Sequence, residues 1–153
     1  MVEVTDAGPG PLRVAVLDDD ADFVEFIGGV LTSQGHSAAP CLTSDELITT
    51  CQAELPDVVL LDMNMGRVSG SEVLAVLRER WPRLCVVVIT GHPSMDTMRE
   101  TFKQDAFDYL AKPFSAADLE RVLAQASAEF GLGRRPQDRL RAELGRRIRL
   151  ART

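Results

Sequence analysis

Three observations in the sequence predict an α/β fold, a doubly wound parallel sheet of five strands with five helices. Short apolar runs rich in β-branched residues recur at Leu12–Leu17, Val58–Leu61 and Cys85–Thr90. None of them alternates apolar with polar residues, which is how strands covered on both faces read. Segments of helical period separate the runs, so strand and helix alternate five times between Leu12 and Phe130. Such alternation builds a parallel sheet with right-handed crossovers and helices on both faces.

Taken in order, LRVAVL is the first strand, and Phe23, Phe26, Ile27, Val30 and Leu31 form the apolar stripe of the helix after it. His36–Pro40 is a weaker second strand. Thr43-Ser-Asp-Glu46 reads as a capping box, a hydroxyl and a carboxylate three residues apart that satisfy each other's backbone N–H groups. It opens a helix carrying Leu47, Ile48 and Cys51. Val58–Leu61 is the third strand, and Val73, Leu74 and Leu77 mark the third helix. Cys85–Thr90 leads to a fourth helix with Met95, Met98 and Phe102 on one face. Phe107–Ala111 is a weaker fifth strand. Ser115-Ala-Ala-Asp118 caps the fifth helix, whose inward residues are Leu119, Val122, Leu123 and Ala126.

Composition bounds the function. With 153 residues, 45% of them hydrophobic and 26% charged, one globular domain is the default, and wholesale disorder or a disulfide-dense mini-domain is excluded. The net charge of −6 hides a split: residues 1–128 hold 9 basic and 20 acidic side chains, and residues 129–153 hold 8 arginines against 3 acids. An acidic body of net −11 is no whole-protein nucleic-acid binder, and a tail of net +5 needs its own explanation. Cys41, Cys51 and Cys85 are odd in number, lack CxxC spacing and read as reduced thiols. Residues 1–11 are Gly/Pro-rich and acidic, a disordered leader without the basic and apolar regions of a signal peptide. No apolar run approaches the roughly 18 residues of a membrane span, so a cytoplasmic location is expected.

In a doubly wound sheet, ligands bind beyond the carboxyl ends of the strands. The first strand runs into Asp18-Asp19-Asp20, the third ends in Asp62, the fourth ends in Thr90-Gly91-His92, and Lys112-Pro113-Phe114 follows the fifth. Carboxylates, a hydroxyl and an ammonium thus converge on one rim. Like charges at close range raise one another's pKa unless a cation intervenes. Two or three carboxylates with a backbone carbonyl make a hard oxygen site suited to Mg²⁺. Thr and Lys offer a donor and a positive charge to phosphoryl oxygens, and a carboxylate beside the metal is a nucleophile able to form an acyl phosphate. The constellation reads as metal-assisted phosphoryl transfer to an aspartate. Each group alone has a plainer reading, since an Asp at a strand end is often a helix N-cap and a lone Lys is usually solvated. Their joint placement at successive strand ends is what sets them apart.

The segments LRVAVLDDD, DVVLLDMNMGRVSG, VVVITGH and AFDYLAKPF, in that order, resemble the receiver domain of two-component response regulators, the fold of the chemotaxis regulator. The 28 residues from Asp62 to Thr90 and the 22 from Thr90 to Lys112 fit that family. The resemblance places the receiver at residues 12–130 and implies a flavodoxin-like sheet of order 2-1-3-4-5. It implies that Asp62 accepts a phosphoryl group from a sensor histidine kinase or phosphotransfer protein. The domain would then catalyse its own phosphorylation and dephosphorylation, as a signalling module and not an enzyme. Asp18, Asp19, Asp62 and the Asn64 main-chain carbonyl would hold Mg²⁺, or Mn²⁺ in its place. Asp20 matches a position that is often acidic without touching the metal. Thr90 and Lys112 would contact phosphoryl oxygens, and Tyr109 would turn inward as Thr90 moves. Asn64 and His92 would tune hydrolysis of the acyl phosphate. The Lys112-Pro113 bond would be cis. Gly66 stands where the family commonly has Pro, which implies a more mobile loop. The surface joining the fourth helix to the fifth strand would be the readout, toward a homodimer or a downstream effector.

Beyond Phe130, Gly131-Leu-Gly133 ends the fifth helix, and residues 131–153 read as an Arg-rich linker and a basic amphipathic helix with Leu140, Leu144 and Ile148 on one face. Two other functions stay in view. One is a haloacid-dehalogenase-type phosphatase, although Asp18-Asp19-Asp20-Ala21 lacks the Thr or Val of that family's DxD[TV] motif. The other is an anionic-surface or DNA binder acting through the arginine tail, which would show strong salt dependence.

Overall fold

The computed structural model describes residues 10–65 and 68–132. In chain order the elements are β1 (Arg13–Leu17), α1 (Ala21–Ser33), β2 (Ser37–Cys41), α2 (Ser44–Ala53), β3 (Val58–Asp62), β4 (Asn64–Met65), β5 (Val68–Ser69), α3 (Gly70–Arg80), β6 (Cys85–Thr90), α4 (Met95–Lys103), β7 (Asp108–Ala111) and α5 (Ala116–Phe130). Five strands form one sheet in the order β2-β1-β3-β6-β7, and every neighbouring pair is parallel. Counting only those five strands, this is the expected order 2-1-3-4-5. The two-residue strands β4 and β5 form a separate antiparallel ladder in the loop between β3 and α3, an element without a strand signal in the sequence.

The continuous apolar runs divide themselves by strand alternation. Val14, Val16, Val58, Leu60, Val87 and Ile89 face one side, where they meet Val24, Ile27 and Leu31 of α1 and Leu119, Val122 and Leu123 of α5. Ala15, Leu17, Val59, Leu61, Val86 and Val88 face the other, against Leu47 and Cys51 of α2 and Val73, Leu74 and Leu77 of α3. All three cysteines are buried free thiols. Burial pushes Cys85 up to about 12 and Cys51 up to about 11, so both stay protonated.

Local signals end the helices where expected. The Asp20 carboxylate caps α1 by accepting from the N–H groups of Asp22 and Phe23. Ser115 and Asp118 form a reciprocal capping box on α5. Gly131 closes α5 at φ 67°, a left-handed conformation that favours glycine. At α2 the box differs from its expected form. Thr43 Oγ1 accepts from the Glu46 N–H, but the Glu46 carboxylate reaches one residue further back, to the Leu42 N–H at 2.7 Å.

Two apolar stripes are turned differently from expectation. Phe26 is 62% exposed, and Val24 is buried in its stead. Phe26 lies about 100° around the helix from Ile27, off the face that meets the sheet. On α4, Met95 is 73% and Phe102 47% exposed, and among its described side chains only Thr101 is buried. Phe102 instead sets its ring edge-on to Tyr109 of the edge strand β7, 6.3 Å between centroids. The expected leader, apart from Gly10 and Pro11, the loop residue Gly66 and the basic tail helix lie outside the described residues.

Candidate functional site

Parallel pairing brings the carboxyl ends of β1, β3, β6 and β7 side by side, and the expected residues meet there. Asp18, directly after β1, is 1% exposed, and Asp62, the last residue of β3, is 3% exposed. Asp19 stands at the exposed rim. Each of these three carboxylates offers an oxygen within 4.8 Å of those of the other two. Asp20, the third of the run, turns away to cap α1.

Lys112 Nζ closes the other side. It donates to Asp18 Oδ2 at 2.7 Å and stands 4.0 Å from Asp62 Oδ1. The Lys112 N–H bonds the Thr90 carbonyl at 2.7 Å, which ties the loop after β7 to the end of β6, and the Lys112-Pro113 bond is cis. The remaining oxygen of Asp18 accepts from the Asp20 N–H at 3.0 Å. Asp62 Oδ1 accepts from the Asn64 N–H at 3.3 Å. Burial pushes the Asp62 carboxyl up to about 6, and the Asp18 carboxylate adds to that. The Asn64 N–H and the Lys112 charge pull the other way, and the Asp19 carboxylate raises it further.

Thr90 is buried, and its Oγ1 accepts from the His92 N–H at 3.1 Å. His92 itself is exposed, as is Asn64, which pairs with Ser69 across the β4–β5 ladder. Tyr109 lies one step removed: β7 aligns Ala111 with Thr90 and Tyr109 with Val88, and the Tyr109 ring packs against Phe102. The expected site residues thus gather at one edge, with Tyr109 behind them.

Two residues that the sequence did not assign to the site also build it, one of them, Phe23, read only as part of the apolar stripe of the first helix. Gly70, the first residue of α3, is pressed against the β3 end. A methyl group there would stand 2.5 Å from Met63 Cα and 2.7 Å from the Asp62 carbonyl oxygen. A glycine opening a helix with polar neighbours was the available signal. Gly70→Ala is expected to cost about 1–3 kcal/mol or more, because both obstacles are backbone and cannot swing aside. Urea unfolding measures it, and an unchanged midpoint would count against this close approach. The second residue is Phe23, whose ring face lies 4.1 Å from Lys112 Nζ. Nothing in the sequence links them, since 89 positions separate the two.

Three acidic groups with oxygens within 4.8 Å of one another, two of them buried, suit a hard divalent cation, whose charge would offset the repulsion from Asp18 and Asp19 that adds to the effect of burial on Asp62. Fold and site together define a receiver, a domain whose local charge is altered by phosphorylation. The chain belongs to the response regulator receiver domain family, whose model matches residues 14–124. It is 27% identical over 126 residues to the DNA-binding transcriptional regulator NtrC of Proteus hauseri, covering 82% of this chain and 27% of the relative. It is 30% identical over 113 residues to the alginate biosynthesis transcriptional regulatory protein AlgB of Pseudomonas syringae, covering 74% of this chain and 25% of the relative. The chain therefore spans about a quarter of the length of these curated relatives. Among solved structures, a response regulator receiver domain from Clostridium thermocellum superposes with a TM-score of 0.73 at 29% identity, covering 78% of this chain and 97% of that one. The receiver domain of NtrX from Brucella abortus gives 0.70 at 29% identity, covering 74% and 96%. These findings favour neither the phosphatase nor the anionic-surface alternative. Among the described residues, no helix is long and apolar enough to cross a membrane.

Proposed function

We propose that Asp62 is the phosphoacceptor, taking its phosphoryl group from a phosphohistidine on a sensor histidine kinase or phosphotransfer protein in the cytoplasm. The observation that carries this reading is the buried Asp62 carboxylate, flanked by Asp18 and Asp19 and faced by Lys112 Nζ at 4.0 Å. An Asp62 oxygen attacks phosphorus, the P–N bond breaks, and its electron pair leaves on the imidazole nitrogen. Mg²⁺, or Mn²⁺, held by Asp18, Asp19, Asp62 and the Asn64 carbonyl would neutralise phosphoryl charge when bound. Lys112 and the Thr90 hydroxyl contact the other phosphoryl oxygens. Thr90 gives up its bond from the His92 N–H to do so, and Tyr109 follows it inward, altering the face shared by α4 and β7. Hydrolysis returns the Asp62 carboxylate and inorganic phosphate as water attacks phosphorus, at a rate set by Asn64 and His92 beside the site. The receiver thus acts on itself in both directions, and its altered face serves a second copy or an effector. By this reading residues 12–130 are the receiver and the arginine-rich segment after it is a separate element.

Incubation with acetyl phosphate tests the assignment. We expect one phosphoryl group per chain in the presence of Mg²⁺, none in EDTA, and none in Asp62→Asn. Labelling that survives this substitution would overturn Asp62 as the acceptor.

A further inference from the structure

Among the described residues, two carboxylates and one aromatic ring lie close to the Lys112 ammonium. Asp18 Oδ2 lies at 2.7 Å, Asp62 Oδ1 at 4.0 Å, and the centre of the Phe23 ring at 4.1 Å. Phe114 stands edge-on to Phe23, 6.1 Å between centroids at 83°, and both rings pack against the core shared by α1 and α5. The Phe23 N–H donates to the Asp20 carboxylate, so the ring belongs to the same capped first turn that follows the acidic run. With its side chain 27% exposed, Lys112 is partly desolvated, a setting in which an aromatic face attracts a cation more strongly than at an open surface.

We propose that Phe23 is a positioning residue for Lys112, holding the ammonium over the phosphoryl site through the face of its ring. This rests on the role given above to Lys112. Both carboxylates that hold the ammonium are claimed by other groups when the site works, Asp18 by a divalent cation and Asp62 by the phosphoryl group. The ring keeps its attraction through each of those charge states. A leucine would fill the same space against Phe114 but would not attract the ammonium. The contact is worth between about 2-fold and 30-fold in an equilibrium.

The chain contains two lysines, Lys103 and Lys112, so each can be read separately. In the full chain labelled at the lysine ε-carbons, ring current should move the Lys112 ε-methylene protons upfield of those of Lys103. The shift should persist in Phe23→Tyr and vanish in Phe23→Leu. At saturating Mg²⁺, labelling by acetyl phosphate should slow about 3- to 30-fold in Phe23→Leu and stay within about twofold in Phe23→Tyr. Coincident lysine resonances in the unsubstituted protein would overturn the proposal without any variant having to fold. Equal losses in the two variants would also overturn it, because packing alone would then explain them. A chain labelled despite Asp62→Asn would instead overturn the acceptor assignment and leave the Phe23–Lys112 resonance shift standing.

Discussion

Asp62→Asn should raise the stability of the metal-free protein at about pH 7.5 by about 1–3 kcal/mol, and the gain should fade near pH 4. The cause is the carboxyl pKa, pushed up to about 6 in the folded chain chiefly by burial and then by Asp18, against 3.8 for a free side chain. Between those values the folded state binds more protons than the unfolded one. Stability therefore falls as pH rises through that window, and the full cost stands above about pH 6. Asparagine removes the charge and keeps an oxygen to accept from the Asn64 N–H. Mg²⁺ should relieve the same repulsion, so adding it should stabilise the parent chain more than the variant. Urea unfolding in EDTA from about pH 4 to pH 8 measures the difference. A gain independent of pH would show that Asp62 ionisation is not its source. The substitution expected to abolish phosphoryl acceptance should thus make a sturdier apo-protein, a stability–function trade-off located in one side chain.

Lys112→Met should separate binding from chemistry. The ammonium is paired with Asp18 at 2.7 Å and lies 4.0 Å from Asp62, so it occupies the same electrostatic niche as a divalent cation. Methionine keeps an unbranched apolar side chain of similar length and deletes the charge. Divalent-cation affinity should rise, by roughly tenfold at neutral pH, because a competing positive charge is gone. Transfer from acetyl phosphate should nevertheless slow on the order of 100-fold, the cost typical of losing a donor aimed at developing negative charge. Without metal the variant should also unfold more readily, by about 2–4 kcal/mol, because Asp18 is left buried without its cation. Mg²⁺ titration and single-turnover labelling read the two effects apart. Tighter metal binding together with unchanged transfer would remove Lys112 from the phosphoryl site.

The surface of α4 shows what the position of a face means for function. Met95 and Phe102 point outward, and Phe102 leans on Tyr109 of the neighbouring edge strand. A ring contact of this kind gives any movement of Tyr109 a direct route to the exposed face. The helical spacing of Met95, Met98 and Phe102 predicted α4, and of the three only Met98 is half-buried while Met95 and Phe102 are exposed.

The sequence by itself determined the strand runs, the helix caps and the order of acidic, hydroxyl and amino groups at the strand ends. Each of these is a local property: a β-branched run, a Ser115–Asp118 box, an Asp placed where a strand stops. It was enough to predict a parallel sheet and the meeting of Asp18, Asp62, Thr90 and Lys112 at one rim, because parallel strands bring their carboxyl ends together; the strand order came from the family resemblance. Only the tertiary structure decided which side of an amphipathic helix meets the sheet. Periodicity defines the angle between side chains on one helix, not the helix's rotation against its neighbours, so Val24 and Phe26 exchanged places. The same limit hid Gly70 against Met63 and Phe23 beneath Lys112. Those contacts join residues far apart in the chain or depend on backbone approach at the ångström level. They exist only after packing has brought the two surfaces together.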